Sequence, residues 1–503
     1  MGTPAPVFRT ALCVGASLIG DSALYVVLPV VYASRGLSPM QVGIILSANR
    51  WTRLFTNAPA AWLLGVYPVR ATFATSLLVG GCCSFLYCST SLTVVVLARC
   101  LWGACWSILR LTGMLTVTDT IDSGLAPETI VGRLTGTFSG VSRLGSALGM
   151  ALGGVLSDRI SYEAFFSIAG LLTVGASPFA WGWTFGSLPT VSVTAARKVA
   201  THQSSNGSSD GGAPVIRWLG ILPPRCVPRL TRAQWQLMAL AFSASCAGNG
   251  LIVSTLGVLL GSYSRVDPAT GQQFVTFGRS MRLGTATLNG LLLGGRWAIE
   301  GCGAPWIGRL IDRLGWPLVA PAAFGLSSLN GALGFTLLRM AEAASGESSG
   351  LLLTAVLACV VVFFVLVSTA DLCVKAMGVS RRETTLLVQG DDLGSAVGPV
   401  LGYAILQMQL PASSVLAAQC LIHGTAGLIA LSAARFHWAS VGGVATPLRA
   451  RGRSSTSSEE NVELQQVALR DDDESASKAM DCDLHLSERV RKPMEHQRDN
   501  HET

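Results

Sequence analysis

The chain repeats itself. Residues 144–153, LGSALGMALG, return as 393–402, LGSAVGPVLG, and Arg50-Trp51 with Pro59 returns as Arg296-Trp297 with Pro305. Both recurrences lie about 250 residues apart, half of the chain, as a duplicated structural unit requires. Each copy is embedded in a series of apolar runs, so the repeated unit is itself membrane material. Two similar halves built of spanning helices would face one another and enclose a central path.

Composition supports the bilayer as solvent. Of 503 residues 50% are hydrophobic and only 13% charged, and the mean hydropathy is +0.49, which is more apolar than an ordinary soluble chain of this length. A spanning helix needs about 20 predominantly apolar residues. Twelve runs qualify by eye: 11–33, 41–65, 72–90, 92–117, 134–157, 164–187, 236–262, 284–307, 318–338, 351–373, 384–408 and 412–434. The expected fold is therefore an all-α membrane protein of two pseudo-symmetric six-helix bundles, at 1–188 and 234–440. A linker at 189–233 and a tail at 441–503 complete the chain.

The first run follows one basic residue, Arg9, and is too long for a signal-peptide core, so it reads as a retained anchor. The cysteines lie mostly inside apolar runs without CxxC or zinc spacing, which points to neither disulfides nor metal. Basic residues in short loops set orientation. Arg70, Arg133, Arg309, Arg313, Arg381 and Arg382, with the linker's own arginines, fall on one side and outnumber those on the other, such as Arg35, Arg159 and Arg339. Both termini and the linker are expected to be cytoplasmic.

The linker carries SSNGSSDGG at 204–212, a flexible composition. Its sequon at Asn206 would lie on the wrong side for glycosylation. In the tail, Arg449, Arg451 and Arg453 precede serines and an acidic run at 471–474, a composition too polar to form a core. These arginines could hold anionic headgroups; a solvated tail is the equal alternative.

Charges inside spans carry the functional information. Asp21, Arg50, Arg53, Arg99, Arg110, Arg143, Arg296, Glu300, Asp391 and Asp392 lie well within the runs, with Asp371 near an end. Each costs about 2.5–3.5 kcal/mol at mid-depth, so they must meet one another or water. The first half is rich in arginine and the second in acids, and the halves should attract. Asp21, near mid-depth in Gly20-Asp21-Ser22, is the candidate for proton coupling, since burial raises and a neighbouring arginine lowers a carboxyl pKa. Arg99 and Arg110, with Asn57 and Asn249, are cavity candidates, although interhelical hydrogen bonding is the commoner fate of such asparagines. His423, in the last run, reads as a packed histidine. An arginine-rich first half favours an anionic or zwitterionic solute unless the acids opposite consume those arginines.

Between the eighth and ninth runs stands Gly308-Arg309-Leu310-Ile311-Asp312-Arg313-Leu314-Gly315. It resembles the G-x-L-x-D-R-x-G loop signature of the major facilitator superfamily. The corresponding loop at 61–70, AWLLGVYPVR, departs from it, with Gly65 in place of the Asp and Pro68 in place of the Gly. Arg99 with Gly103 and the glycine-rich runs at 145–154 and 394–402 also look like family signatures. The resemblance covers about residues 11–435.

It implies secondary active transport of a small solute by alternating access, here coupled to protons. In such a fold helices one, four, seven and ten line the cavity, while two and eleven, and five and eight, meet between the halves. Arg50 and Arg53 are then set against Asp391 and Asp392, with Arg53 and Asp392 within about 6 Å in depth. Arg143 is set opposite Glu300, and Arg296 is also an i,i+4 neighbour of Glu300. These pairs are expected to be latches that break as the halves rock, or else permanent pairs. Gly308, Asp312, Arg313, Asp119 and Asp371 form the expected cytoplasmic gate, with Asp312 at the N-terminus of helix five.

The expected partners are a small solute, protons and lipid, with no nucleic acid, acting as a monomer. No phosphate loop, cofactor motif or catalytic constellation is present. A non-transporting receptor or scaffold on the same fold is the alternative. Substrate, direction and membrane of residence are not legible.

Overall fold

The computed structural model describes residues 5–123, 125, 131–181, 230–268, 272–277, 281–344, 347–377 and 381–442. Most of the linker, with Asn206, and the tail beyond 442 lie outside them. Among the described residues the first half forms α1 (Ala5–Val31), α2 (Pro39–Val66), α3 (Val69–Leu86), α4 (Leu92–Asp122), α5 (Val131–Ser157) and α6 (Tyr162–Phe179). The second half begins with α7 (Arg232–Ser245), a π turn (Cys246–Ile252) and α8 (Val253–Gly261), which together make one rod. A three-stranded antiparallel sheet follows, β1 (Arg265–Val266), β2 (Gln273–Phe277) and β3 (Met281–Gly284). Then come α9 (Thr285–Leu314), α10 (Trp316–Ala343), α11 (Glu347–Met377), α12 (Arg381–Gln407) and α13 (Ser413–Gly442).

Local chemistry sets these boundaries. Ser38 and Gln41 form a capping box at the start of α2, and Thr231 and Gln234 do the same for α7. Gly315 joins α9 to α10 at φ +79°, a conformation that glycine alone adopts at little cost. It is the last residue of the charged loop motif, which explains that glycine by backbone geometry.

Among the described residues seven rods are long and apolar enough to cross a membrane: α1, α3, α4, the α7–α8 rod, α10, α11 and α13. The sequence reading had twelve. Four of the remaining five, α2, α5, α9 and α12, have 27 to 30 residues and thus the length to cross. They fall short in hydropathy because they carry the arginines and acids. The sheet is a departure of another kind, because the expected fold was all-α. β2 pairs with β3 from Phe274↔Gly284 to Phe277↔Met281 and with β1 at Arg265↔Phe274.

The two glycine-rich copies do equivalent work. Gly145 and Gly149 bring α5 against the backbone of α1 at Gly15 and Ile19, leaving no room for a Cβ. Gly394 and Gly398 bring α12 against α7 and the π turn in the same way, at Phe242, Cys246 and Gly250. Such small-residue contacts are how helices associate where lipid removes the hydrophobic drive. On the outside, Phe55, Leu97, Leu171, Leu351, Leu421 and Leu428 are each more than 60% exposed. That apolar girdle suits hydrocarbon and not water.

At the end that carries the sheet the halves are tied together. Asn289 Nδ2 donates to Val26 O at 2.9 Å, and the backbone N–H of Met40 donates to Gln407 Oε1 at 3.4 Å. Asp158, one residue beyond α5, accepts from the backbone N–H and hydroxyl of Thr287 at 2.8 and 2.6 Å. It thereby caps the first turn of α9, where a carboxylate is favoured.

Candidate functional site

A buried ion needs a counter-ion, a hydrogen bond or water. The intramembrane charges meet that need around a central cavity of about 410 Å3. The first half lends it Asp21, Arg50, Arg53, Arg110 and Arg143, and the second lends Arg296, Glu300, Asp371, Lys375 and Asp391. Trp102, Trp106 and Trp297 supply flat apolar walls. The lining runs from mid-depth toward the end away from the sheet, reaching Lys375 in the last turn of α11 and Leu387 in the second turn of α12.

Ion pairs organise the wall. Arg53 Nη2 lies 2.6 Å from Asp392 Oδ1 across the two halves, with both side chains nearly dry. The approach is ionic, since neither Asp392 oxygen has a well-angled hydrogen bond. Arg143 of α5 meets Glu300 of α9. Arg99 meets Asp21 within the first half. Arg99 is fully buried and also donates to Ile45 O at 3.2 Å and to the Tyr25 hydroxyl at 3.1 Å. It does not line the cavity; it holds Asp21, which does.

Arg50 lies near the Tyr25 hydroxyl and in the field of Asp391 and Asp392. Asp391 accepts from the Ser245 hydroxyl, which in turn accepts from Asn249 Nδ2 at 3.2 Å. Asn249 sits on the π turn, a feature that recurs at functional sites.

Two expectations need correction. Arg296 does not close on Glu300 one helical turn away; its Nη2 donates instead to Asn249 Oδ1 at 2.5 Å. Asp371, expected to meet arginines, is bound by Lys375 at 2.5 Å. Asn57 is half-buried on α2 outside the cavity wall, and Asp119 is half-buried near the end of α4. Gly308 is partly buried, while Asp312 and Arg313 are exposed in the last turn of α9. Neither of the two has an ion pair among the described residues. The helix N-terminus that does receive a carboxylate is that of α9, from Asp158. His423 is packed between Phe324 and Phe363, with Nδ1 2.6 Å from the Ser327 hydroxyl, outside the cavity.

Sequence reasoning missed Tyr25, Ser245, Lys375 and the three tryptophans. Helical spacing was available for two of them, because Tyr25 is i+4 from Asp21 and Lys375 is i+4 from Asp371.

The profile of the Major Facilitator Superfamily matches residues 10–399. The chain belongs to that superfamily. Crystal structures of the nucleoside transporter NupG have the same fold. A mutant form aligns at TM-score 0.63 and 12% identity, covering 86% of this chain and 100% of its own. Another aligns at TM-score 0.58 and 13% identity, covering 86% and 99%. No curated protein sequence matches the chain. As a superfamily member it is a multi-pass membrane protein with transmembrane transporter activity, and its charged cavity sits where the duplicated halves meet.

Proposed function

We propose that the chain is a secondary carrier of a small solute, working by alternating access and coupled to protons. The observation that carries this reading is the cavity itself, whose ionisable wall is shared between the two halves and opens away from the sheet-bearing end that joins them. On this reading α2, α5, α6, α9 and α12 complete twelve spans in two six-helix bundles, with both termini cytoplasmic. The present state is then inward-facing, and Arg53–Asp392 and Arg143–Glu300 are the pairs whose rearrangement accompanies rocking. Asp21 is the coupling group: it borders the cavity, and its carboxylate is held by the buried Arg99 guanidinium.

The likeness to NupG supports carriage of a small solute and leaves the substrate open. Uptake of a metabolite panel into proteoliposomes, with and without an imposed proton gradient, tests the proposal. We expect gradient-dependent accumulation that Asp21→Asn converts to gradient-independent exchange. Folded protein that binds solutes without moving any would be a receptor and end the carrier reading.

A further inference from the structure

The carboxylates of the cavity are already spoken for. Asp21 is held by Arg99, Glu300 by Arg143 and Asp371 by Lys375, while Asp391 faces Lys375, Ser245 and Arg50, and Asp392, buried behind the wall, is held by Arg53. None is left for Arg110 of α4 or Arg296 of α9. Among the described residues Arg110 has neither a hydrogen bond nor an ion pair, and it is half-buried in the cavity wall. Arg296 is 4% exposed, and its Nε and Nη1 are buried with no acceptor.

The other unmet polar atoms of wall residues are donors or hydroxyls, which can also donate. Trp297 Nε1 and Arg53 Nε are donors without acceptors, and the hydroxyls of Ser142 and Ser368 are unpartnered. No unmet acceptor-only oxygen lines the cavity. A buried donor left unsatisfied costs about 1–3 kcal/mol, more when charged, so this wall calls for an acceptor-rich occupant.

The two surplus cations are placed to be used. The Arg296 guanidinium lies 5.2 Å from the Trp297 ring and 5.7 Å from that of Phe364, and Asn249 fixes its Nη2. The two ring contacts and the hydrogen bond to Asn249 fix the guanidinium at the edge of the cavity, a planar cation of the kind that recognises carboxylate or phosphate. Trp102, Trp106 and Trp297 offer flat faces, and about 410 Å3 suits a solute of one or two rings.

We infer, resting on the carrier reading above, that the transported solute is a small ring-bearing organic anion. Its carboxylate or phosphate bridges Arg110 of the first half and Arg296 of the second.

The test uses the full chain in detergent, with benzoate and phenyl phosphate as anionic probes and benzamide and uridine as uncharged ones. At least one anion should raise the unfolding temperature where the neutral probes do not, and the two anions separate carboxylate from phosphate preference. Arg296→Gln and Arg110→Gln should each weaken that binding at least tenfold, with Arg296→Lys between parent and Gln. Arg110 is only half-buried, so its variant keeps the test open should Arg296→Gln fold poorly. Protection by neutral probes equal to that by anions, or anion binding unchanged in both variants, overturns the inference. Counterflow in liposomes separates the two readings: uridine exchange without anion exchange keeps the carrier and sinks the anion, whereas benzoate protection without any exchange does the reverse.

Discussion

At the residue scale the decisive quantity is what remains when one partner of a dry ion pair is removed. Arg53 and Asp392 are 6% and 0% exposed. Asp392→Leu strands a buried guanidinium and should cost about 3–5 kcal/mol, whereas the double variant Arg53→Leu/Asp392→Leu should recover most of it. Thermal unfolding in detergent reads both, and a double variant as unstable as the single would deny the pairing. Arg143 and Glu300 permit charge reversal: Glu300→Arg should fail to transport and Arg143→Glu/Glu300→Arg should regain transport. Absence of rescue in folded protein would count against contact.

Asp158 makes a pH prediction. Burial raises its carboxyl above the usual range, and the Thr287 hydroxyl and N–H groups at the start of α9 pull it partly back. A sealed-state pKa above the solvated one means that the sealed end binds the proton more tightly. The sealed state is therefore favoured most below the solvated pKa and loses that advantage as pH rises through the raised one. Labelling of a cysteine placed at the sheet-bearing end should rise with pH over that window, and Asp158→Asn should flatten the profile.

At the element scale, glycines distinguish contact from mere helix. Gly145 has the α1 backbone where a Cβ would go, while Gly140, on the same helix, has open space. Gly145→Ala should lower the unfolding temperature, by an overpacking cost of about 1–3 kcal/mol, and Gly140→Ala should raise it slightly. Equal effects would mean that α5 does not rest on α1 there. The duplicated glycine run was legible as a repeat, but the sequence did not say that its glycines pack α5 on α1 within the first half.

The π turn and the sheet were not legible. A π turn differs from α by one residue per turn and leaves no periodic trace in CAGNGLI, and β2 is a five-residue strand that pairs through backbone. The helix pairing implied by the family resemblance, checked by depth, set Arg143 opposite Glu300 and Arg53 opposite Asp392. It could not see that Arg296 would prefer Asn249, because Asn249 is delivered by the π turn.

At the scale of the whole molecule, the proposed alternating-access cycle requires the sheet-bearing end to part. Met40 and Gln407 span the halves there. Met40→Cys/Gln407→Cys, joined by a short cross-linker, should abolish flux, and reductive release of a cleavable linker should restore it. Flux that persists through the cross-link would exclude rocking about this seam.

The sheet itself bridges that seam, because Gln272, just ahead of β2, donates its amide to the backbone carbonyl of Asp158. Parting the end must therefore detach a small structured flap from the opposite half. An antibody fragment clasping both the flap and the turn at Asp158 would act as a splint, arresting the cycle from outside without entering the solute path.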